Sequence, residues 1–146
     1  MEGDTLAALN WFNQGFSCAQ AIVATFGNQY GLDVEHALRV AGAFGGGMAR
    51  MGETCGAVTG ALMAIGLAQG SDTPSGKEST YALGQAFLES FEARHDTILC
   101  RELIQRDIST PEGFQQAREQ AVFKALCPRF IRDSVEIIKA FLVKSP

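Results

Sequence analysis

The chain has 146 residues, of which 47% are hydrophobic and 19% are charged, a composition that suits a single domain over residues 1–146 with its own core. Its net charge of −4 argues against nucleic acid and against an anionic membrane surface as a partner. The longest uncharged stretch, Thr54–Ser71, is too short and too rich in glycine for a membrane span, so we expect no membrane association.

Helical periodicity recurs along the chain, with apolar residues at i, i+3, i+4 and i+7. It covers residues 19–26, then 34–41 after the N-cap residue Asp33, then 84–91 and finally 131–142. No segment of four or more residues alternates in the manner of a strand. We therefore predict an all-α fold, a compact bundle of about seven helices. The breaks between helices are predicted at Gly15, Gly31, Gly45–Gly47, Gly70–Gly76 and Ser109–Pro111.

Small residues recur every four positions in the middle of the chain, where they predict a central helix rich in glycine and alanine. Because residues i and i+4 share a helix face, other segments can approach this face closely. Each interior glycine costs about 1 kcal/mol relative to alanine, so the helix needs packing from outside. That packing could come from the same chain or from a second subunit, which leaves a homo-oligomer open. The small residues are Gly52, Gly56, Gly60, Ala64 and Ala68.

All four cysteines fall in the first turn of a predicted helix. Ser17 before Cys18 and Thr54 before Cys55 are both good N-cap residues. Thr97 places Cys100 at position N3 of a helix that carries Arg101 to Arg106, and Pro128 places Cys127 at the N-cap of the last helix. Free amides and the helix dipole favour negative charge there, which lowers a thiol pKa and favours the thiolate that attacks disulfides or binds metal. The spacings match no local zinc or iron–sulfur motif, so the fold would have to assemble any shared site.

No basic segment followed by an apolar stretch stands near the start of the sequence, so we expect no secretory signal and a cytoplasmic location. In that reducing compartment, cysteines act as buried hydrophobes, metal ligands or redox groups rather than as structural disulfides.

A glycine-rich loop leads into Cys55 and supplies further candidates. A loop of this kind before a helix can hold an anion on its amide groups. Arg50 could bind the anion or stabilise a thiolate, and Glu53 could cap the helix or accept a proton. The pattern matches neither of the nucleotide-binding glycine motifs. The candidate ligand-binding residues are Gly46, Gly47, Arg50 and Glu53.

With these residues in hand, the sequence resembles a family of bacterial and archaeal redox-active proteins named for the pattern C_GCAxxG_C_C. The matching stretches are GFSCAQAIVATFGNQYG, GAFGGGMARMGETCGAVTGALMAIG, ILCREL and ALCPRFIRDSVEII. The central motif here reads CGAxxG rather than GCAxxG. The resemblance implies redox-active cysteines. Because a related domain accompanies haem in some electron-transfer proteins, it also implies a cysteine-held iron–sulfur or other metal centre beside thiol–disulfide chemistry.

Three functions stay open at this point. The first is a redox protein, as an oxidoreductase or in electron transfer, with an unidentified protein or small-molecule partner. Its cysteines would form a thiol–disulfide centre or hold an iron–sulfur cluster or zinc. The second is a module that binds a small anionic ligand through the Gly45–Gly52 loop. The third is a structural oligomerisation domain that uses the glycine face. The four proposed redox or metal-ligating residues are Cys18, Cys55, Cys100 and Cys127.

Overall fold

The computed structural model describes residues 2–142 and, within that range, consists of α-helices and connecting segments without a strand. Single turns of 3₁₀ helix lie at Asn28–Tyr30 and Pro74–Gly76. Seven of the eight α-helices have seven or more residues, so the prediction of an all-α bundle of about seven helices is confirmed. The helices are α1 (Glu2–Asn13), α2 (Cys18–Gly27), α3 (Val34–Val40), α4 (Gly56–Gln69), α5 (Lys77–His95), α6 (Cys100–Leu103), α7 (Pro111–Glu119) and α8 (Val122–Leu142).

Helix α4 is the central helix of the bundle, as its small residues predict. It packs against α2, α5 and α8, while α1 packs on α2 and α8. The Ser134 hydroxyl of α8 donates a hydrogen bond to the Ala57 carbonyl at the start of α4, 3.0 Å away in the buried core. No helix within residues 2–142 combines the length and apolar character needed to cross a bilayer.

The glycine face of α4 is covered by α2 of the same chain. A Cβ on Gly56 would lie 2.8 Å from the Ala19 nitrogen, and a Cβ on Gly60 would lie 3.0 Å from the Ala19 oxygen. Both positions therefore need glycine, because any side chain would push the two helices apart. This face is not available to a second subunit. Gly52 is not part of the helix face, since it lies in the preceding loop with a φ of 73°.

Two of the predicted helix starts are confirmed. The Ser17 side chain accepts a hydrogen bond from the Gln20 amide, and the Gln20 side chain accepts one from the Ser17 amide. This capping box starts α2 at Cys18. Asp33 caps α3 by accepting a hydrogen bond from the His36 amide.

The other predicted starts are wrong in detail. Thr54 forms an isolated antiparallel bridge with Leu99, so Cys55 itself is the N-cap of α4. The Thr97 hydroxyl accepts a hydrogen bond from the Leu99 amide, and α6 begins only at Cys100. The helix predicted to continue to residue 106 ends after one turn, and Gln105 has a φ of 55°.

The prediction that Cys127 caps the last helix is also wrong. Helix α8 begins at Val122 and continues through Pro128, which leaves Cys127 inside the helix. Proline removes one backbone hydrogen bond there. Tertiary packing offsets this loss, because Val122 is buried and the Phe123 ring lies 5.9 Å from that of Phe114.

Candidate cysteine site

Close packing between α2 and α4 brings Cys18 to Cys55. Cys18 is the first residue of α2, and Cys55 directly precedes α4. A Cβ on Gly56 would lie 3.2 Å from the Cys18 Cβ, so a side chain at position 56 would occupy this contact. The small residues around Cys55 therefore let a cysteine distant in sequence reach it.

Two extended segments pair and bring Cys100 beside the same helix start. The Cys55 amide donates to the Ile98 carbonyl at 2.8 Å, and the Cys100 amide donates to the Glu53 carbonyl at 2.7 Å. The Arg101 guanidinium donates to the Gly52 carbonyl at 3.2 Å and lies 3.5 Å from the Glu53 carboxylate. These contacts hold the loop before α4 against the start of α6.

The loop itself follows an unusual left-handed path. Five consecutive residues, 46–50, have φ between 53° and 72°, and three of them are not glycine. Each non-glycine residue in this region costs about 1–2 kcal/mol, so the surrounding contacts must hold the conformation in place. Gly47 is fixed by space as well as by φ, because a Cβ there would lie 2.7 Å from the Cys100 Cβ.

This path changes the interpretation of the loop as an anion cradle. The amides of residues 48–53 all donate to carbonyls within residues 43–48, so these six groups are already used. Gly46, Gly47 and Arg50 line the cavity beside the cysteines, whereas the Glu53 carboxylate faces Arg101. A role for these residues in ligand binding stays a prediction, with the Arg50 side chain as the group free to serve it.

The Cys18 thiol interacts with the neighbouring Cys55 and Cys127, which line the same cavity. This interaction with Cys18 is the main cause that lowers the pKa of the Cys55 thiol below its usual value. The Ala57 and Val58 amides lower this pKa further, although the Cys55 sulfur makes no side-chain capping hydrogen bond of regular geometry. Cys55 is thus the cysteine that this site favours as a thiolate.

The neighbouring cysteines are held as thiols. Interactions with Cys127 and Cys55, together with burial, raise the pKa of Cys18 well above its usual value. Burial raises the pKa of Cys100 to about 12, with smaller contributions from charge on Cys55 and Cys127. The site therefore favours a negative charge on Cys55 beside the protonated Cys18 and Cys100.

All four cysteines line one cavity of about 740 Å³. Cys55, Cys100 and Cys127 are buried and Cys18 is partly exposed, so a reagent would reach the sulfurs through this cavity. A volume of this size accommodates a small organic molecule.

Phe114, Arg118 and Lys124 are among the residues of this cavity that sequence reasoning missed. Phe114 and Arg118 lie four positions apart on α7, a spacing that places them on one helix face. That spacing was the available signal, but the packing of α7 beside the cysteines depends on distant segments.

The described side chains around the cavity do not form the predicted metal site. Within residues 2–142, no group of three or more histidine, cysteine, aspartate or glutamate side chains is arranged so that it could hold a metal ion. Ligation of a metal by Cys18, Cys55, Cys100 and Cys127 therefore stays a prediction that this arrangement does not support.

Fold and site together define an all-α protein whose chemistry-bearing groups are cysteines around one cavity. The chain belongs to the family described as "Putative redox-active protein (C_GCAxxG_C_C)", whose model matches residues 16–141. No curated protein and no solved structure matches the chain. The family predicted from the four cysteine segments is confirmed, and its description supports a redox role for the protein.

Proposed function

We propose that the protein is a thiol–disulfide redox protein in which Cys55 is the nucleophile and Cys18 is the resolving cysteine. The observation that carries this proposal is the close approach of Cys18 to the start of α4, which places both cysteines on one cavity. It combines a stabilised thiolate with a second thiol in contact, which is what a two-step exchange requires. Four free cysteines also suit a reducing compartment, so we propose the cytoplasm as the location.

The exchange balances with these two residues alone. The Cys55 thiolate attacks one sulfur of a substrate disulfide, the substrate S–S bond breaks, and one substrate half leaves as a thiolate. The Cys18 thiol then gives its proton to that thiolate and attacks the Cys55 sulfur. The second substrate half leaves as a thiolate, and a Cys18–Cys55 disulfide forms. The two protein thiols lose two electrons when they form the disulfide. The substrate disulfide gains these electrons and is reduced to a thiol and a thiolate.

The contact between Cys18 and Cys127 adds a third sulfur to this sequence. A Cys127 thiolate could attack Cys18 in the Cys18–Cys55 disulfide, which would move the disulfide to Cys18–Cys127 and release Cys55 as a thiolate. This isomerisation consumes no oxidant. It would restore the nucleophile while the protein stays oxidised.

The test is to react the reduced protein with a small neutral disulfide and to map the products by mass spectrometry. We expect a mixed disulfide on Cys55, followed by an internal disulfide that includes Cys18. Cys55→Ser should abolish the reaction with little loss of helix content. Full thiol reactivity in Cys55→Ser would show that another cysteine is the nucleophile and overturn the assignment.

A cluster or zinc protein is the second candidate, because all four cysteines line the same cavity. Metal and sulfide analysis with an absorption spectrum, on protein purified without oxygen, separates the two. Iron with sulfide in a stable ratio would favour a cluster. Absence of metal, with thiols that pair reversibly on oxidation, would favour the thiol–disulfide function.

A further inference from the structure

The cysteine cavity opens beside three cationic side chains. Arg50, Arg118 and Lys124 all line it, and all three are solvent-exposed residues, whereas the Cys55 sulfur lies in the buried part. Cations therefore stand where the cavity meets solvent, and a molecule that approaches the sulfurs passes them.

The cationic side chains around this cavity contrast with the net negative charge of the chain. The protein has a net charge of −4, yet no aspartate or glutamate of residues 2–142 lines the cysteine cavity. Glu119 lines a neighbouring groove instead, where the Gln115 side chain donates a hydrogen bond to it. The cavity is therefore electrostatically distinct from the rest of the molecule and favours anions.

The three cationic side chains are also available to bind a ligand. Other basic side chains are neutralised in the fold, since Arg101 faces Glu53 and Lys139 contacts Asp4 at 2.7 Å. Among the described residues, no carboxylate forms an ion pair with Arg50, Arg118 or Lys124. Their charge is available to a ligand without breaking an internal bridge.

The guanidinium groups of two of these cations lie over the Phe114 ring. The Arg50 guanidinium carbon lies 3.7 Å from the centre of the Phe114 ring, and that of Arg118 lies 5.7 Å from it. Stacking on an aromatic face fixes the guanidinium plane while leaving its N–H edge able to donate to a carboxylate or phosphate. The left-handed loop described above thus presents Arg50 next to Arg118 of α7.

The wall between these cations and the cysteines is apolar. Phe16, Phe114, Phe123 and Phe130 line the cavity together with Leu103 and Ile104. This surface suits the carbon body of a small molecule rather than a fully solvated inorganic ion.

We propose that the substrate of the thiol site is a low-molecular-weight organic disulfide that carries carboxylate or phosphate groups. Its negative groups bind Arg50, Arg118 and Lys124 while its sulfurs reach Cys55. This inference rests on the proposed function, because it assigns the substrate class of that thiol centre.

Three disulfides of similar length test the charge preference: 3,3′-dithiodipropionate as the dianion, bis(2-hydroxyethyl) disulfide as the neutral compound, and cystamine as the dication. Each rate with Cys55 is divided by its rate with a small free thiol, which removes intrinsic reactivity. We expect the normalised rate of the anion to exceed that of the cation by about tenfold or more at low salt. The ratio should fall as salt is added, because ions screen exposed charges.

The variant Arg50→Gln/Arg118→Gln should lower the anion-to-cation ratio at least about threefold while the neutral disulfide still reacts. Arg132→Gln is the matched control. Arg132 is exposed and does not line the cavity, so its loss should leave the ratio unchanged. If the double variant misfolds, the salt dependence of the unmodified protein still decides the question.

The outcomes separate the two proposals. If the neutral disulfide reacts at Cys55 and the anion has no advantage, the substrate assignment is wrong and the thiol function stands. If none of the three disulfides modifies Cys55, the proposed function fails. If slow rates are equal for all charges but a protein disulfide reacts rapidly, the substrate is macromolecular, and the small-molecule assignment is overturned.

Discussion

Cys18 lies beside Cys55 at the contact between α2 and the start of α4, and its thiol lowers the pKa of Cys55. The two residues are brought together by a capping box on one side and a glycine on the other. Ser17 and Gln20 fix the start of α2, and Gly56 leaves the space that Cys18 occupies. The chemistry of the site therefore depends on local helix-start signals and on one close helix contact.

Replacement of Cys18 should separate its two roles. Cys18→Ser and Cys18→Ala both remove the resolving thiol, so each should stop at a mixed disulfide on Cys55. Serine keeps an O–H that can donate to the thiolate, whereas alanine does not, so Cys18→Ala should raise the Cys55 pKa and react more slowly at neutral pH. Stopped-flow kinetics and intact-mass spectrometry measure both effects.

Equal reaction rates in the two Cys18 variants would show that the hydrogen bond does not stabilise the thiolate. A mixed disulfide that still resolves would assign the resolving role to Cys100 or Cys127. Cys127→Ser is the companion variant. It should form the Cys18–Cys55 disulfide, but it cannot convert this bond into a Cys18–Cys127 disulfide.

The alkylation of Cys55 and that of Cys100 should depend on pH in different ranges. Cys55 has a lowered pKa, so iodoacetamide should modify it in a pH range below the usual thiol pKa of 9.0. Cys100, with a pKa raised to about 12, should react only at strongly alkaline pH. Peptide mapping after timed labelling gives a separate profile for each cysteine, and parallel profiles would contradict the assignment.

The raised pKa values should also make the fold sensitive to alkali. Cys18 and Cys100 ionise less readily in the folded state, so their contribution to stability is complete below pH 9.0 and is lost as pH rises toward the folded values. Cys55 acts in the opposite direction, and its contribution is lost as pH falls through its lowered pKa. The contribution of Cys55 is already complete above pH 9.0, so Cys18 and Cys100 set the trend there. The free energy of unfolding should therefore decline above pH 9.0, and Cys100→Ser should reduce that decline.

Replacement of two glycines of α4 by alanine should change the stability of the fold in opposite directions. Gly56→Ala places a Cβ 2.8 Å from the backbone of α2 and should destabilise the fold by about 1–3 kcal/mol, with Gly56→Leu at or beyond the upper end. Gly66 is the matched control in the same helix, because a Cβ there meets nothing within 4 Å. Gly66→Ala should stabilise by about 0.5–1 kcal/mol. Urea unfolding measures each change, and similar effects at both positions would refute the packing argument.

The sequence predicts the parts of this molecule that depend on short-range signals. The helical periodicity, the Ser17 cap and the role of Gly56 are all readable within a few residues. The position of Cys127 is not, because Pro128 is typical of a helix start, and only the packing of Val122 and Phe123 extends α8 before it.

Contacts between segments distant in sequence explain the remaining differences between prediction and structure. Thr54 is a good N-cap residue, but its bridge to Leu99 moves the cap to Cys55. The cationic side of the cavity combines Arg50 from the loop with Arg118 from α7, and no local pattern connects them. Sequence reasoning therefore found the cysteines and Arg50 but missed Arg118 and Lys124, which lie beside them in the fold.

The left-handed loop provides a last test of how the site is held. Gly47→Ala should destabilise the protein for two reasons, since residue 47 has a φ of 72° and its Cβ would lie 2.7 Å from that of Cys100. Gly31→Ala is the control for conformational strain alone, because Gly31 has a φ of 94° and open space around it and does not line the cysteine cavity. We expect about 1–2 kcal/mol for Gly31→Ala and more for Gly47→Ala. Only Gly47→Ala should also alter the alkylation rates of Cys100 and Cys55, because it displaces the loop that pairs with α6. Unchanged cysteine reactivity in folded Gly47→Ala would show that the loop does not position the thiols.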